Sequence, residues 1–220
     1  MKLYWIKTGR IIKRLFGGYV WDLPTPGKIA YLTFDDGPTP EVTDFVLGIL
    51  SQHGIKATFF CIGNNIEKHA EIFQRVIDAG HTVANHTYNH LNGWKTDFET
   101  YINNVQSCED SITSRISEFK TNKLFRPPYG KIKAAQAKAV RNDGYRIVMW
   151  DVLSADFDQT ITPEKCLKNV VNNVQPGSVI IFHDSIKAEA NLRYALPRTI
   201  EILKEKGYRF EAIAAPAPAR

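Results

Sequence analysis

Two neighbouring carboxylates and a pair of histidines are the side chains in this 220-residue sequence that point most directly to chemistry. Asp35 and Asp36 end one apolar, β-branched segment, and His86 and His90 follow another. Histidines four residues apart lie on one face of a helical turn and can share a zinc ion. Two histidines and one aspartate leave a coordination position open, as catalytic zinc requires, and the other aspartate could act as a base. Alternatively, the two aspartates belong to a surface turn and the two histidines are exposed to solvent without binding a metal.

Two further apolar segments also end in polar residues. Arg126 opens the loop Arg-Pro-Pro-Tyr-Gly, in which two prolines limit motion and the guanidinium can hold a carboxylate through paired hydrogen bonds. His183 ends the run Val-Ile-Ile-Phe and is suited to a general acid, although a buried structural histidine fits the same pattern.

Short β-branched or aromatic runs alternate with helix-length segments along the chain, which predicts a parallel sheet covered by helices. The predicted strands span 28–34, 56–62, 82–85, 124–125, 146–150, 178–182 and 208–212. The predicted helices between them span 41–53, 66–79, 97–119, 131–142, 162–173 and 193–206. Because no long linker interrupts this alternation, we expect an α/β fold with one barrel-like domain. Its site should lie at the carboxyl ends of the strands, where the polar residues above are found.

Taken together, these segments resemble the NodB-type polysaccharide deacetylases, carbohydrate esterase family four. The motifs TFDDGP, HTYNH and RPPYG, the region 151–156 and the motif IFHD occur in the order of that family, across about residues 28–212. The resemblance implies a distorted (β/α)7 barrel formed by a single domain. It also implies a divalent metal, most commonly zinc, with cobalt or nickel as alternatives.

The resemblance assigns a role to each motif residue. Asp36, His86 and His90 would be the metal ligands. Asp35 would be the general base, held by Arg126, and the backbone N–H of Tyr129 would help to stabilise the oxyanion. Asp156 would orient His183, the general acid. The substrate would contact Tyr129, Trp150, Phe157 and Ile181. The family usually has Trp in place of Phe157 and Leu in place of Ile181, so the pocket for the acetyl methyl group departs from the family pattern.

The implied function is a metal-dependent hydrolase that removes N-acetyl groups from N-acetylglucosamine-containing saccharides of the chitooligosaccharide or peptidoglycan type. One alternative is an O-deacetylase of acetylated xylan or another acyl amide hydrolase. A second alternative is an inactive, metal-dependent sugar-binding protein. The predicted partner in each case is an acetylated saccharide, and we expect a monomer.

The net charge of +5 is carried by residues 1–14 of an N-terminal arm that spans residues 1–27. Positions 1–14 contain five of the 28 basic residues and no acidic residue. The rest of the chain therefore has 23 basic and 23 acidic residues. A nucleic-acid-binding domain would carry its basic patch on the fold itself, so that class is disfavoured. Three widely spaced cysteines also disfavour a disulfide scaffold.

Apart from Leu3 and Ile6, the apolar and basic residues of segment 2–16 fall on opposite sides of a helical wheel. Such a helix either packs on the domain or lies in a membrane interface with its cations toward anionic headgroups. The sequence contains no cleavable signal pattern, so we expect a cytoplasmic location or the inner face of a membrane. Residues 213–220 alternate Ala and Pro, and this pattern predicts an extended tail.

Overall fold

The computed structural model describes residues 4–116, 119 and 123–214. The first three residues of the arm, the last six residues of the tail, and positions 117 and 118 of the helix predicted over 97–119 lie outside the described residues. Within the described ranges, no helix is both long and apolar enough to cross a bilayer.

The described residues form eight strands and eight α-helices. The strands are Ile29–Asp35 (β1), Thr58–Cys61 (β2), Thr82–Asn85 (β3), Leu124–Phe125 (β4), Arg146–Ile147 (β5), Val152–Leu153 (β6), Val179–His183 (β7) and Arg209–Phe210 (β8). The helices are Arg10–Leu15 (α1), Val42–His53 (α2), Gly63–Lys68 (α3), Ala70–Asp78 (α4), Phe98–Thr113 (α5), Ala134–Asn142 (α6), Pro163–Val171 (α7) and Glu189–Glu205 (α8).

Seven strands form one parallel sheet in the order β5-β4-β3-β2-β1-β7-β6, and β8 pairs with β1. All seven residues of β1 are buried. Such burial is expected of a central parallel strand with both faces covered, and it explains why β1 is almost entirely apolar before it reaches Asp35. The predicted α/β class and the parallel sheet are therefore confirmed.

The connection between the two ends of the sheet shows that the sheet curls. In the hydrogen-bonded order β5 and β6 are the outermost strands, yet only residues 148–151 separate them in the chain. Five residue steps span at most about 18 Å, whereas six strand spacings in a flat sheet would place its edges about 29 Å apart. The sheet must therefore bend into the barrel-like form that the sequence predicts.

Three local predictions need correction. The helix predicted over 66–79 is two helices, because His69 adopts the non-helical angles φ −129° and ψ 50° between α3 and α4. The strand predicted over 146–150 ends at Ile147, and the two-residue strand β6 was not predicted, because two residues are too few to show a periodic pattern. In the described part of the arm, only Arg10–Leu15 is α-helical.

The arm packs against the open side of the sheet. Lys7 pairs with Val152 of β6, and Val20 pairs with Val148, the residue that follows β5. The buried Asp151, between these two edges, accepts hydrogen bonds from the amino groups of Lys7 (2.5 Å) and Lys13 (2.5 Å). Strand edges expose unpaired backbone groups, so a segment that covers both edges satisfies them.

Candidate active site

The polar residues singled out above meet at the carboxyl ends of the central strands. Asp35 and His183 are the last residues of β1 and β7 and stand opposite each other in the ladder. His86 follows β3, and Arg126 follows β4. Around them opens a pocket of about 490 Å³, whose walls include every predicted ligand, Asp35, Tyr129, Trp150, Phe157, Ile181 and His183.

Asp36, His86 and His90 form a candidate metal centre. One ligand atom from each lies within 4.8 Å of the others. The Nε2 atoms of His90 and His86 are 3.3 Å and 3.8 Å from Oδ1 of Asp36. That oxygen is buried and forms no hydrogen bond with any described residue. An orphaned carboxylate oxygen facing two imidazoles fits a divalent cation, because buried polar atoms otherwise find a partner.

Contacts behind the two imidazoles fix their orientation. Nδ1–H of His86 donates to the backbone carbonyl of Arg126 (2.7 Å), and Nδ1 of His90 is hydrogen-bonded to the hydroxyl of Tyr129 (3.1 Å). Each Nε2 is therefore turned toward Asp36, an arrangement typical of metal-bound histidines. Burial first, and then the proximity of His90, lowers the pKa of His86 well below its usual value. The neutral ring that results is the form that binds metal.

The loops that carry these ligands have unusual backbone angles. Asp36, Thr87, His90, Tyr129 and Ala155 all have φ between 54° and 82°. Non-glycine residues seldom adopt this left-handed region, and such strain concentrates at functional sites. The segment from His86 to His90 is therefore a loop rather than the helical turn that the spacing predicts. The two imidazoles converge because of the loop, not because of helical periodicity.

Asp35, which precedes the predicted ligand Asp36, is paired with a buried arginine. Nη1 of Arg126 donates to Oδ1 of Asp35 (2.6 Å) and to the hydroxyl of Thr33 (2.9 Å). Its Nε and Nη2 donate to the backbone carbonyls of Val148 (3.1 Å) and Met149 (2.8 Å). Oδ2 of Asp35 lies 3.7 Å from Nε2 of His86. One carboxylate oxygen thus faces the guanidinium and the other faces the metal centre.

His183 is paired with Asp156. Nδ1–H of the ring donates to Oδ1 of Asp156 (2.7 Å), and the backbone N–H of His183 donates to Oδ2 (2.7 Å). Burial alone would lower the pKa of His183, but the Asp156 carboxylate, with smaller contributions from Asp36 and Asp35, raises it to about 9. The imidazolium is therefore favoured at neutral pH, and its Nε2–H is the proton that remains for transfer.

Aromatic and apolar side chains complete the pocket. The ring of Phe157 packs edge-on against His183, with centroids 5.0 Å apart, and Tyr129 packs on His90 at 4.6 Å. Ile181 and Trp150 also line the pocket and add apolar surface to its walls. The backbone N–H of Tyr129 donates to none of the other described residues. The oxyanion role that the resemblance assigns to this N–H stays a prediction.

Comparison with known proteins identifies the family. The sequence model described as "Polysaccharide deacetylase" matches residues 22–148. The chain belongs to the polysaccharide deacetylase family. A Bacillus cereus peptidoglycan-N-acetylglucosamine deacetylase is 39% identical over 180 residues, which are 81% of this chain and 64% of that protein. A second Bacillus cereus protein of the same name is 34% identical over 200 residues, 90% of this chain and 92% of its own length.

A solved structure of the family has the same fold. The crystal structure of the Bc1960 peptidoglycan N-acetylglucosamine deacetylase superposes with a TM-score of 0.85 and 34% identity, and the match covers 94% of this chain and 95% of that one. The predicted family, hydrolase class and barrel fold are thereby confirmed. The individual roles of the site residues stay predictions, now with a geometry attached to each of them.

Sequence inspection missed several residues that shape the site. The hydroxyl of Thr33 accepts from Arg126, and Asp184 accepts from the backbone N–H of Gly37 (3.1 Å) and the hydroxyl of Thr43 (2.6 Å). Tyr4 of the arm lines the pocket and packs edge-on against Phe157 at 5.7 Å. Asp184 is the last residue of the motif IFHD, so the sequence pattern could have identified it as a site residue. The place of Tyr4 in the pocket could not be predicted from the sequence, because its partners are more than 140 residues away in the chain.

Proposed function

We propose that the chain is a metal-dependent deacetylase that removes N-acetyl groups from N-acetylglucosamine units of peptidoglycan-type or chitooligosaccharide substrates. The observation that carries this proposal is the convergence of Asp36, His86 and His90 on one point beside Asp35, in a pocket that also contains His183. The names of the relatives support the acetylated-glucosamine substrate.

Three residues would hold the metal, and the remaining polar groups would move protons and bind charge. A divalent ion at Asp36, His86 and His90 would supply Lewis acidity and make a water molecule more acidic. Zinc is the proposed ion because two imidazoles and one carboxylate form a zinc-type donor set, with cobalt and nickel as substitutes.

Proton transfer would be divided between the two sides of the pocket. Asp35, oriented by Arg126, would accept the proton of the attacking water. His183, kept protonated by Asp156, would donate a proton to the departing amine. The Tyr129 N–H would donate a hydrogen bond to the developing oxyanion. Positioned proton transfers of this kind contribute roughly 10²–10⁴-fold each.

Product analysis tests the proposal. The purified protein is incubated with chitooligosaccharides, peptidoglycan fragments and acetylated xylan, with and without a chelator, and mass spectrometry follows the loss of acetyl groups. We expect chelator-sensitive loss from the glucosamine-containing substrates, restored by Zn²⁺. Release of acetate from xylan alone would favour the O-deacetylase, and binding without release would favour the inactive sugar-binding protein.

We further propose that the arm contacts a membrane surface through α1. Ile11 and Leu15 of this helix are 75% and 71% exposed, and Arg10 and Arg14 lie beside them. Apolar side chains flanked by cations are attracted to anionic lipid. Flotation with anionic vesicles tests this: the Ile11→Ser, Leu15→Ser double variant should float less than wild type, and Phe98→Ser, on an exposed aromatic outside the arm, should not.

A further inference from the structure

A second cavity continues from the catalytic pocket. It has a volume of about 340 Å³ and shares Tyr4, Tyr129, Trp150 and Leu153 with the pocket that contains the metal centre. Because these four residues border both spaces, a molecule in the catalytic pocket can extend into the second cavity. The size falls within the range of small-molecule sites.

The walls of this second cavity are rich in exposed aromatic rings. Trp5 of the arm and Trp94 of the loop after His90 are 59% and 60% exposed, and both line it. The indole N–H of Trp94 donates to the carbonyl of Ile132 (3.2 Å), and the Lys131 amino group lies 4.8 Å from the Trp94 ring centroid. These contacts fix the Trp94 ring while leaving much of it open to solvent.

The arm is anchored on both sides of Trp5. The hydroxyl of Tyr4 donates to Asp158 (2.8 Å), and the carbonyl of Ile6 accepts from the backbone N–H of Leu153 (2.8 Å). Beyond them, the amino group of Lys7 donates to the carbonyl of Asn173 (2.8 Å) as well as to Asp151. Trp5 is thus positioned before any ligand arrives, which reduces the entropy lost on binding.

We propose that this cavity is a subsite for the sugar unit adjacent to the one that is deacetylated, with the N-terminal arm forming one wall. The proposal rests on the proposed function, which places an N-acetylglucosamine unit in the catalytic pocket. A pyranose ring has an apolar face of C–H groups and a rim of hydroxyls, so it suits an aromatic wall bordered by polar groups. Continuity with the catalytic pocket selects the neighbouring sugar as occupant.

Substrate length provides the kinetic test. Rates are compared for wild type, Trp5→Ala and Trp94→Ala on chitotetraose and on 4-nitrophenyl acetate, a small ester that fits the catalytic pocket alone. We expect kcat/KM on the tetrasaccharide to fall roughly two- to tenfold in each variant, the range of one aromatic contact. The rate on the ester should stay unchanged. Phe98→Ala, which removes an exposed aromatic ring outside the cavity, is the matched control.

Direct binding separates this proposal from the proposed function. The sequence has four tryptophans, so chitotetraose binding can be followed by NMR through the indole N–H signals whether or not acetate is released. Shifts of the Trp5 and Trp94 signals without deacetylation would support the subsite and contradict the proposed function. Deacetylation with unshifted Trp5 and Trp94 signals, or an equal loss on ester and tetrasaccharide, would overturn the subsite.

Discussion

Arg126 and Asp35 form a buried ion pair, with Nη1 of the guanidinium 2.6 Å from Oδ1 of the carboxylate and neither side chain more than 3% exposed. The pair joins the end of β1 to the loop after β4 and leaves the second oxygen of Asp35 directed at the metal centre. Two neighbouring aspartates would repel each other if they shared one environment. Arg126 gives Asp35 an environment different from that of Asp36.

The division of roles between the two aspartates leads to the first prediction. Asp35→Asn should retain bound metal and lose activity by about 10²–10⁴-fold, because it removes the proposed base but keeps an acceptor for Arg126. His86→Ala should lose both metal and activity. Metal content measured by elemental analysis, alongside deacetylation rates, checks this. Equal loss of metal from both variants would refute the assignment.

Arg126 should also matter for stability. Arg126→Met leaves the Asp35 carboxylate buried without its counter-charge, so we expect the free energy of unfolding to fall by about 3–5 kcal/mol. Arg75 provides the matched control, because it forms a similar 2.8 Å ion pair with Asp44 at the exposed surface. Arg75→Ala should cost no more than about 1 kcal/mol. Urea unfolding of both variants gives the comparison, and similar losses would mean that burial of the Arg126 pair is unimportant.

The sequence predicted some parts of this architecture better than others, for identifiable reasons. Strand β3 was predicted over the observed residues, Thr82–Asn85, because Gly80 ends the preceding helical pattern and the polar motif HTYNH follows at once. The side chains of Asp35 and His183 could be placed together because parallel strands present their carboxyl ends at one edge. The local sequence pattern was sufficient to predict β3, and the strand topology was sufficient to place Asp35 beside His183.

Other features depend on contacts that leave no local pattern. The hydrogen bond between Thr43 and Asp184 joins residues 141 apart. The arm segment predicted as a longer helix is α-helical only over Arg10–Leu15 in its described part, because Lys7 pairs with β6 and its amino group binds Asp151. A helical wheel describes only the local preference of the arm, and here tertiary pairing outweighs that preference.

The raised pKa of His183 predicts how activity depends on pH. A general acid must be protonated, so activity should be present below the pKa and be lost as pH rises through it. That pKa is about 9 without metal, and a bound cation would offset the contributions of Asp36 and Asp35, placing the alkaline limb between 6.5 and 9. Asp156→Asn should move this limb toward 6.5. The pH profile of kcat/KM for Asp156→Asn tests this prediction, with Asp143→Asn, at an exposed aspartate, as the control. An alkaline limb that stays in place in Asp156→Asn would contradict the role of Asp156.

The leaving group provides a separate test of His183. An amine departs from an acetamide only when it is protonated, whereas the leaving group of an activated acetate ester needs no proton. His183→Ala should therefore lose about 10²–10⁴-fold on a chitooligosaccharide and much less on 4-nitrophenyl acetate. If both substrates lose activity equally, His183 does not act as the acid.

Gly37, next to the predicted ligand Asp36, should not tolerate a side chain. A Cβ atom at this position would lie 2.0 Å from Oδ2 of Asp184, a buried carboxylate that also accepts from Thr43 and has little room to move. Gly37→Ala should therefore displace the turn that carries Asp36 and reduce stability, metal content and activity together. Gly48→Ala is the matched control, because Gly48 lies in α2 with no atom within 4 Å of its added Cβ. That variant should gain about 0.5–1 kcal/mol in the free energy of unfolding. Thermal unfolding and metal analysis of the two variants test the argument, and a Gly37→Ala protein with wild-type metal content would show that Asp184 does not constrain the turn.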